Sequence, residues 1–350
     1  METPTSSTEI QKNSSLKNKS RLLLGLVKSP ADLNTAKFVY YFGSTFTEND
    51  TYPMSQATQI LSHHKFDNRK KTLLYLHGYL ESLEEESIWV VVNAYLKRRD
   101  HNIIVLDWKE LAEGSYAFDA VVNIKQLGPV LAKKMMELFD AGLSIEKLHI
   151  VGHSLGSHLA GIVGREIISR TKGAKKIPRI TALDPAFPSF YIVPIAKPLS
   201  KKDAEFVDVI HTDAWLYGTP FATGTADFWP NGGKTLQPGC PRRNYVLLSE
   251  IDLCSHRRSW HFWAESVCGK LKFDAVKAKS WSDFKAGRVE EVPGAFMGLD
   301  CATNVTGNFY LQTNGATPYL NLSGASPTAT ESYFSEEASG KSFLASSLTR

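Results

Sequence analysis

The 350-residue sequence predicts an α/β fold in which a mostly parallel sheet is covered by helices on both faces. Short apolar runs of strand character alternate with longer runs of helical periodicity, which is the order that successive β-α-β units require. A hydrophobic content of 43% in a chain of this length is enough for one large core. The predicted strands cover residues 72–77, 102–108, 147–152, 179–183 and 205–212, and the predicted helices cover residues 88–99, 116–141 and 155–169.

Both ends of the chain differ in composition from this alternating region. Residues 1–29 are rich in Ser, Thr, Asn and Lys, and residues 325–350 are rich in Ser, so we expect both segments to be disordered. A single domain is therefore expected over residues 30–324. Beyond Asp213 the sequence becomes rich in loops, Gly and Pro, which is typical of a region that builds a binding site on a rigid scaffold.

The most informative motif is Gly-His-Ser-Leu-Gly at residues 152–156, between a predicted strand and a predicted helix. A serine hydroxyl becomes a good nucleophile only when a base takes its proton, and a sharp turn here raises Ser154 to where a histidine can reach it. Bulky side chains in place of Gly152 or Gly156 would collide with their neighbours in such a turn. The alternative is a glycine-rich turn without chemistry. The flanking strand and helix favour the nucleophile elbow of an α/β-hydrolase fold.

The base and the acid of such a hydrolase follow the serine along the chain. Three histidines lie beyond the elbow, and we expect His211, in an alternating strand, and His261, among aromatic residues, to be structural. We select His256, expected in a loop just before a helix, because a loop side chain can be aimed at a strand end.

The predicted acid is Asp184, which with Pro185 ends a strand beside the elbow. Its expected role is to hold the imidazole in the right tautomer and to stabilise the imidazolium. The other candidates lie in a charged turn, in a strand or at its end, or in a long loop: Asp203, Asp208, Asp213 and Asp227.

An oxyanion in this geometry is stabilised by two backbone amides. The first belongs to the residue after the nucleophile, Leu155. The second comes from a loop after an early strand, and the His-Gly pair that ends the strand at 72–77 leaves the amide of Tyr79 as the candidate.

Together these segments resemble the pancreatic lipase family, especially its insect neutral lipases and phospholipases A1. The matching motifs are LHGY at 76–79, GHSLG at 152–156, TALDPA at 181–186, FVDVIHTD at 206–213, DFWPNGG at 227–233, QPGC at 237–240 and CSH at 254–256. The resemblance covers about residues 30–320. It implies an α/β-hydrolase fold, hydrolysis of lipid esters at a membrane or emulsion surface, and a triad of Ser154, Asp184 and His256.

In the resembling family, residues 240–254 correspond to the lid over the active site, and here the lid is short. The loop at residues 214–225 also looks shortened. Short forms of both loops accompany phospholipase A1 or galactolipase activity, although insect relatives with short lids are not all phospholipases. The substrate therefore stays open between triacylglycerol, the sn-1 ester of a phospholipid, and galactolipid.

The resemblance also bears on metals and partners. The family's calcium loop uses two aspartates, and here Asp203 matches one while Ser200 stands at the other position. Because the loss of an anionic ligand weakens a calcium site, we expect no metal, and we expect no other cofactor. The C-terminal β-sandwich of larger lipases does not follow, so no colipase-like partner is expected. The oligomeric state stays open.

The cysteines and the charge bear on the compartment and on partners. Four cysteines allow three connectivities, which stay open; in one of them a Cys240–Cys254 bond would close a compact loop and a Cys268–Cys301 bond would tether the loop-rich end of the domain. The N-terminal region contains no clear signal peptide, yet the cysteines and the family favour secretion. Sequons stand at Asn13, Asn18, Asn49, Asn304 and Asn321. The net charge of +4 is spread out and no nucleic-acid motif is present, so no nucleic-acid partner is expected.

Two other functional classes remain as alternatives. A lipid carrier or yolk-type protein on the same fold would lack the serine or one of its partners, whereas all three are present here. A thioesterase or protease is the second, because a triad alone does not select the acyl substrate.

Overall fold

The structure is a computed structural model that describes residues 31–327 except Val193, Tyr245 and Lys270. The chain divides into two compact units, Met1–Leu33 and Asn34–Arg350, and the following concerns the second. The expected disorder of residues 1–29 and 328–350 falls outside the described residues. Residues 325–327 are described, and the Ser326 carbonyl accepts a hydrogen bond from Gln312 Nε2 at 3.0 Å. The described domain therefore continues past the expected boundary at 324.

A ten-stranded sheet forms the centre of the second unit, in the order β10-β12-β8-β7-β6-β5-β3-β4-β1-β2. The strands from β4 to β12 in that order are mutually parallel, while β1, β2 and β10 are antiparallel to their neighbours at the edges. A separate pair joins β9 and β11. The strands are β1 (Lys37–Tyr41), β2 (Asn49–Pro53), β3 (Lys71–Leu76), β4 (His101–Asp107), β5 (Leu148–His153), β6 (Arg179–Leu183), β7 (Phe206–Ile210), β8 (Ala226–Pro230), β9 (Phe273–Asp274), β10 (Val276–Lys277), β11 (Phe296–Met297) and β12 (Gly307–Leu311).

Helices cover both faces of this sheet, so the predicted α/β fold is confirmed. They are α1 (Glu86–Arg98), α2 (Val121–Asp140), α3 (Leu155–Arg170), α4 (Glu250–Cys268) and α5 (Trp281–Lys285). Helices α1 and α4 pack together, as do α2 and α3. The central strands are buried along almost their whole length because both of their faces are covered.

The structure decides the pairing of the cysteines. Cys240 and Cys254 form a disulfide. Cys268 and Cys301 are not bonded to each other, because both thiols are free. Cys268 is exposed at the end of α4, whereas Cys301 is buried in the core. The two thiols therefore lie in different environments, although an even count of cysteines would allow them to pair.

Two further observations concern the surface of the described residues. The sequon residue Asn321 is buried, which makes it a poor acceptor for a glycan, while Asn304 is exposed. No helix within residues 31–327 is long and apolar enough to cross a bilayer.

We predict that the two free thiols differ in reactivity. Burial raises the pKa of Cys301 to about 12 and keeps reagents away, so only Cys268 should react with a thiol reagent in the folded protein. The measurement is thiol titration without reductant, before and after denaturation. Cys268→Ser should abolish the native signal and leave one thiol after unfolding. A wild-type protein without any free thiol in denaturant would contradict the free state of this pair.

Candidate active site

Ser154 lies in the sharp turn that joins β5 to α3. Its backbone angles of φ 52° and ψ −117° are strained for a residue with a side chain. A Cβ atom on Gly152 would lie 2.5 Å from the Gly156 carbonyl oxygen, and one on Gly156 would lie 2.2 Å from the Leu76 carbonyl oxygen. The turn therefore requires glycine on both sides of Ser154, as the motif predicts.

Asp184 and His256 form a buried acid–base pair. Asp184 Oδ2 lies 2.6 Å from His256 Nδ1, and Asp184 Oδ1 accepts hydrogen bonds from the amides of Thr212 and Asp213 at 2.8 and 3.1 Å. These three contacts hold the Asp184 carboxylate in one orientation. A neutral imidazole that donates from Nδ1 keeps Nε2 as its basic atom.

His256 lies inside α4 and not in a loop before it, so this part of the prediction is wrong. The helix begins earlier because Ser249 caps it, accepting a hydrogen bond from the Asp252 amide at 3.3 Å. The acidic residues Glu250 and Asp252 in the first turn complement the helix dipole. Residues 250–254 of the segment predicted as a lid belong to this helix.

Ser154 and His256 line one cavity of about 450 Å³. The Ser154 hydroxyl makes no hydrogen bond to another of the described residues, so the structure brings the two side chains into one cavity without joining them directly. Apolar and aromatic groups form much of the wall, including Tyr79, Leu247 and Trp260. A second cavity of about 620 Å³ is lined by residues that begin β3 and β4, at the opposite end of these strands from Ser154.

The loop after β3 lies directly against Ser154. A Cβ atom on Gly78 would be 3.1 Å from the Ser154 Cβ, and Tyr79 lines the same cavity. Leu155 is the first residue of α3. Both proposed oxyanion donors therefore belong to segments that adjoin Ser154.

Glu81 holds this loop, and sequence reasoning missed it. Its carboxylate accepts from the Gly78 amide at 3.0 Å and the Ser87 hydroxyl at 3.1 Å, and it lies 2.6 Å from His153 Nδ1. Burial alone raises the pKa of Glu81, but the His153 ring, the His77 ring and the Gly78 amide outweigh it and lower the pKa to about 2. The sequence signal that could have identified Glu81 is its position three residues after Gly78, in the loop that follows the His-Gly pair.

The remaining candidates have other partners. His211 lies 2.8 Å from Asp227 and stacks on Trp229, and His261 packs against aromatic rings. Asp208 forms a buried ion pair with Arg179. None of these side chains lines the cavity of Ser154.

Asp213 is a second buried carboxylate beside the acid–base pair. One ligand-type atom from each of Asp184, Asp213 and His256 lies within 4.8 Å of the others. Both oxygens of Asp184 already take part in hydrogen bonds, so they are not available to a metal ion. We therefore interpret the three residues as an Asp184–His256 pair with the Asp213 carboxylate beside it. Asp213 Oδ1 has no hydrogen-bond partner among the described residues. Burial, followed by the charge of Asp184, raises the pKa of Asp213 to about 7.

The segment that corresponds to the family's calcium loop does not fit the ion. Arg165 donates to Asp203 Oδ2 at 2.5 Å and to the Pro198 and Lys197 carbonyls at 3.0 and 3.1 Å. Ser200 also donates to Asp203. A guanidinium therefore takes the oxygen atoms that a cation would need.

A single carboxylate holds the lid segment. Asp252, at the start of α4, accepts from Arg243 Nε at 2.6 Å, from the Leu248 amide at 3.2 Å, and from the Tyr217 hydroxyl. Leu247 and Leu248 are exposed and also line the cavity. The segment predicted as a lid thus places apolar side chains between the cavity and solvent.

Comparison with known proteins gives a match to the family model described as Lipase over residues 5–319. The chain is 34% identical over 287 residues to the pancreatic triacylglycerol lipase of Mus musculus, which covers 77% of this chain and 59% of that protein. It is 33% identical over 234 residues to lipase member H-A of Xenopus laevis, covering 66% and 49%.

A third relative is the inactive pancreatic lipase-related protein 1 of Mus musculus, 32% identical over 282 residues and covering 76% of this chain and 57% of that protein. The chain thus spans about half to three fifths of the length of these relatives. Because one of these relatives is named inactive, similarity alone does not show whether this chain is active. The geometry of the site is therefore the basis for the proposal of activity.

We predict that Glu81→Gln lowers kcat on a soluble ester by about tenfold with little change in KM. The substitution keeps the size of the side chain but removes the charge that orients His153 and the Gly78 amide, so the adjoining oxyanion loop loses its fixed position. Steady-state kinetics compare it with Glu84→Gln, an exposed neighbour. Equal kcat values in the two variants would remove the positioning role.

A second prediction concerns stability and pH. Because the pKa of Asp213 is raised above its value of about 3.9 in the unfolded chain, its protonated form stabilises the fold, and this contribution is lost between about pH 4 and pH 7. Asp213→Asn mimics the protonated form and does not titrate. It should therefore increase the free energy of unfolding more at pH 8 than at pH 5, by on the order of 1 kcal/mol or more.

The measurement is denaturant unfolding of both proteins at the two pH values, with the exposed Asp274→Asn as the control. A gain in the Asp213 variant that is the same at both pH values would show that this carboxyl titrates normally.

Proposed function

This chain belongs to the Lipase family, and we propose that it hydrolyses carboxylic esters of lipids through an acyl-enzyme on Ser154. The single observation that carries the proposal is the 2.6 Å contact between Asp184 and His256 in a cavity that Ser154 also lines. A nucleophile in a strained turn, a base and an orienting carboxylate are the three parts that acyl transfer needs.

In the proposed reaction the Ser154 oxygen attacks the acyl carbon of the ester while His256 Nε2 takes the serine proton. His256 then gives this proton to the leaving alcohol oxygen as the ester bond breaks, which leaves the acyl group on Ser154. Water attacks the acyl-enzyme with His256 again as the base, which releases the fatty acid and restores the serine. Asp184 holds the imidazole and stabilises the imidazolium. The amides of Tyr79 and Leu155 stabilise the oxyanion in both halves of the reaction.

The surface around the cavity supports a lipid as the substrate. Leu80, Trp215, Val246, Leu247 and Leu248 are large apolar side chains that are more than two fifths exposed. Three of them, Leu80, Leu247 and Leu248, line the cavity itself. Such a mouth suits an acyl chain entering from a membrane or an emulsion better than a polar peptide or a soluble thioester.

We also propose that the protein works outside the cytosol. The support is the Cys240–Cys254 disulfide, because such bonds persist in oxidising compartments.

The test of the proposed function is a fluorophosphonate probe, which reacts with an activated serine, together with hydrolysis of a soluble ester. Wild type should be labelled and active. Ser154→Ala and His256→Ala should each lose activity by several orders of magnitude, and Asp184→Asn somewhat less, because triad residues act as a unit. The exposed Ser169→Ala on α3 serves as the matched control.

A wild-type protein that folds but neither reacts with the probe nor cleaves any ester would instead support the silent lipid-binding alternative.

A further inference from the structure

The cavity beside Ser154 carries charges of both signs on different walls. Arg257, the residue after the base on α4, lines it together with Glu85 and Glu86 at the start of α1. The third acidic group, Glu81, already serves His153 and the Gly78 amide. Arg257 is the one lysine or arginine among the described residues that line the cavity.

These charged groups do not pair with one another. No ion pair in the described part of the chain includes Arg257, Glu85 or Glu86, although Arg257 is half-buried. An unpaired guanidinium in a partly apolar cavity loses hydration without gaining a partner, which is unfavourable unless a ligand supplies an anion. One cationic group, Arg257, and two anionic groups, Glu85 and Glu86, are therefore available to the same ligand.

Arg257 lines the cavity from the same helix as His256. Leu253, His256, Arg257 and Trp260 recur at helical spacing and line the cavity together. Helix α1 packs against α4, so the N-terminus of α1 brings Glu85 and Glu86 to the same cavity. A ligand whose ester lies at Ser154 would therefore share one cavity with Arg257 on α4 and with the carboxylates at the start of α1.

We propose that Arg257, Glu85 and Glu86 form a head-group subsite for a zwitterionic glycerophospholipid, an inference that rests on the proposed ester hydrolysis. Arg257 binds the phosphate, and the two glutamates attract the ammonium group. The sn-1 ester, only a few bonds from the phosphate, lies at Ser154. Water then replaces the glycerol oxygen on the acyl carbon, and the products are a fatty acid and a lysophospholipid.

Charge complementarity separates this substrate from the other candidates. A triacylglycerol or a galactolipid carries no charge and leaves Arg257 without a partner. A phospholipid with an anionic head group satisfies Arg257, but its net negative charge is repelled by Glu85 and Glu86. The expected preference is zwitterionic phospholipid over anionic phospholipid and over neutral lipid.

The experiment compares kcat/KM on monomeric short-chain phosphatidylcholine, phosphatidylglycerol and triacylglycerol, so that binding to an interface does not enter. Arg257→Gln should lower the phosphatidylcholine-to-triacylglycerol ratio by about tenfold. Glu85→Gln combined with Glu86→Gln should narrow the preference for phosphatidylcholine over phosphatidylglycerol. Lys125→Gln, an exposed residue on α2, controls for the change in net charge.

A wild-type preference for triacylglycerol would overturn the proposal, as would an equal loss on both lipids in Arg257→Gln. Labelling of Ser154 by the fluorophosphonate, measured on every variant, separates failure of the subsite from failure of the hydrolase assignment.

An equilibrium measurement keeps the subsite testable without catalysis. Binding of hexadecylphosphocholine to Ser154→Ala, followed by calorimetry, should weaken about tenfold when Arg257→Gln is added. Unchanged binding in the double variant would overturn the subsite.

Discussion

The close approach of three backbone segments around Ser154 is the constraint on which the site depends. Gly156 packs against the Leu76 carbonyl at the end of β3, and Gly152 packs against the first turn of α3. The Ser154 amide donates to the Leu183 carbonyl at 2.9 Å, which ties the turn to β6. A residue held at such backbone angles costs about 1–3 kcal/mol, so the strain persists only because the surrounding sheet determines the conformation.

The parallel sheet gathers the other groups at the same edge. The oxyanion loop follows β3, Ser154 follows β5, Asp184 follows β6 and Asp213 follows β7 shortly afterwards. Parallel strands end on one side of a sheet, so residues that are far apart in sequence meet there without any long excursion of the chain. The base alone comes from a helix, and its position depends on how α4 packs on α1.

The sequence predicted the features that short segments of the chain determine by themselves. The elbow and the strand that Asp184 ends both follow from short segments. The helix around His256 was missed because its start depends on the Ser249 cap and not on the apolar pattern. Glu81 and Arg257 gain their places only when separate loops and helices meet, and cysteine counting cannot detect that Cys301 is buried. The catalytic assignment itself stays a prediction until the variants are measured.

The segment predicted as a lid, which covers the cavity, is attached at two places to α4, the helix that contains His256. The disulfide joins Cys240 to Cys254, which lies two positions before His256. Asp252, in the first turn of the same helix, accepts hydrogen bonds from Arg243 and Leu248 in the segment between the two cysteines. Closing a loop of this length restricts the unfolded chain by about 3 kcal/mol in the chain-entropy model. The segment and His256 are thus tied to one helix, so a substitution that shifts the start of α4 would displace the cover of the cavity and His256 together.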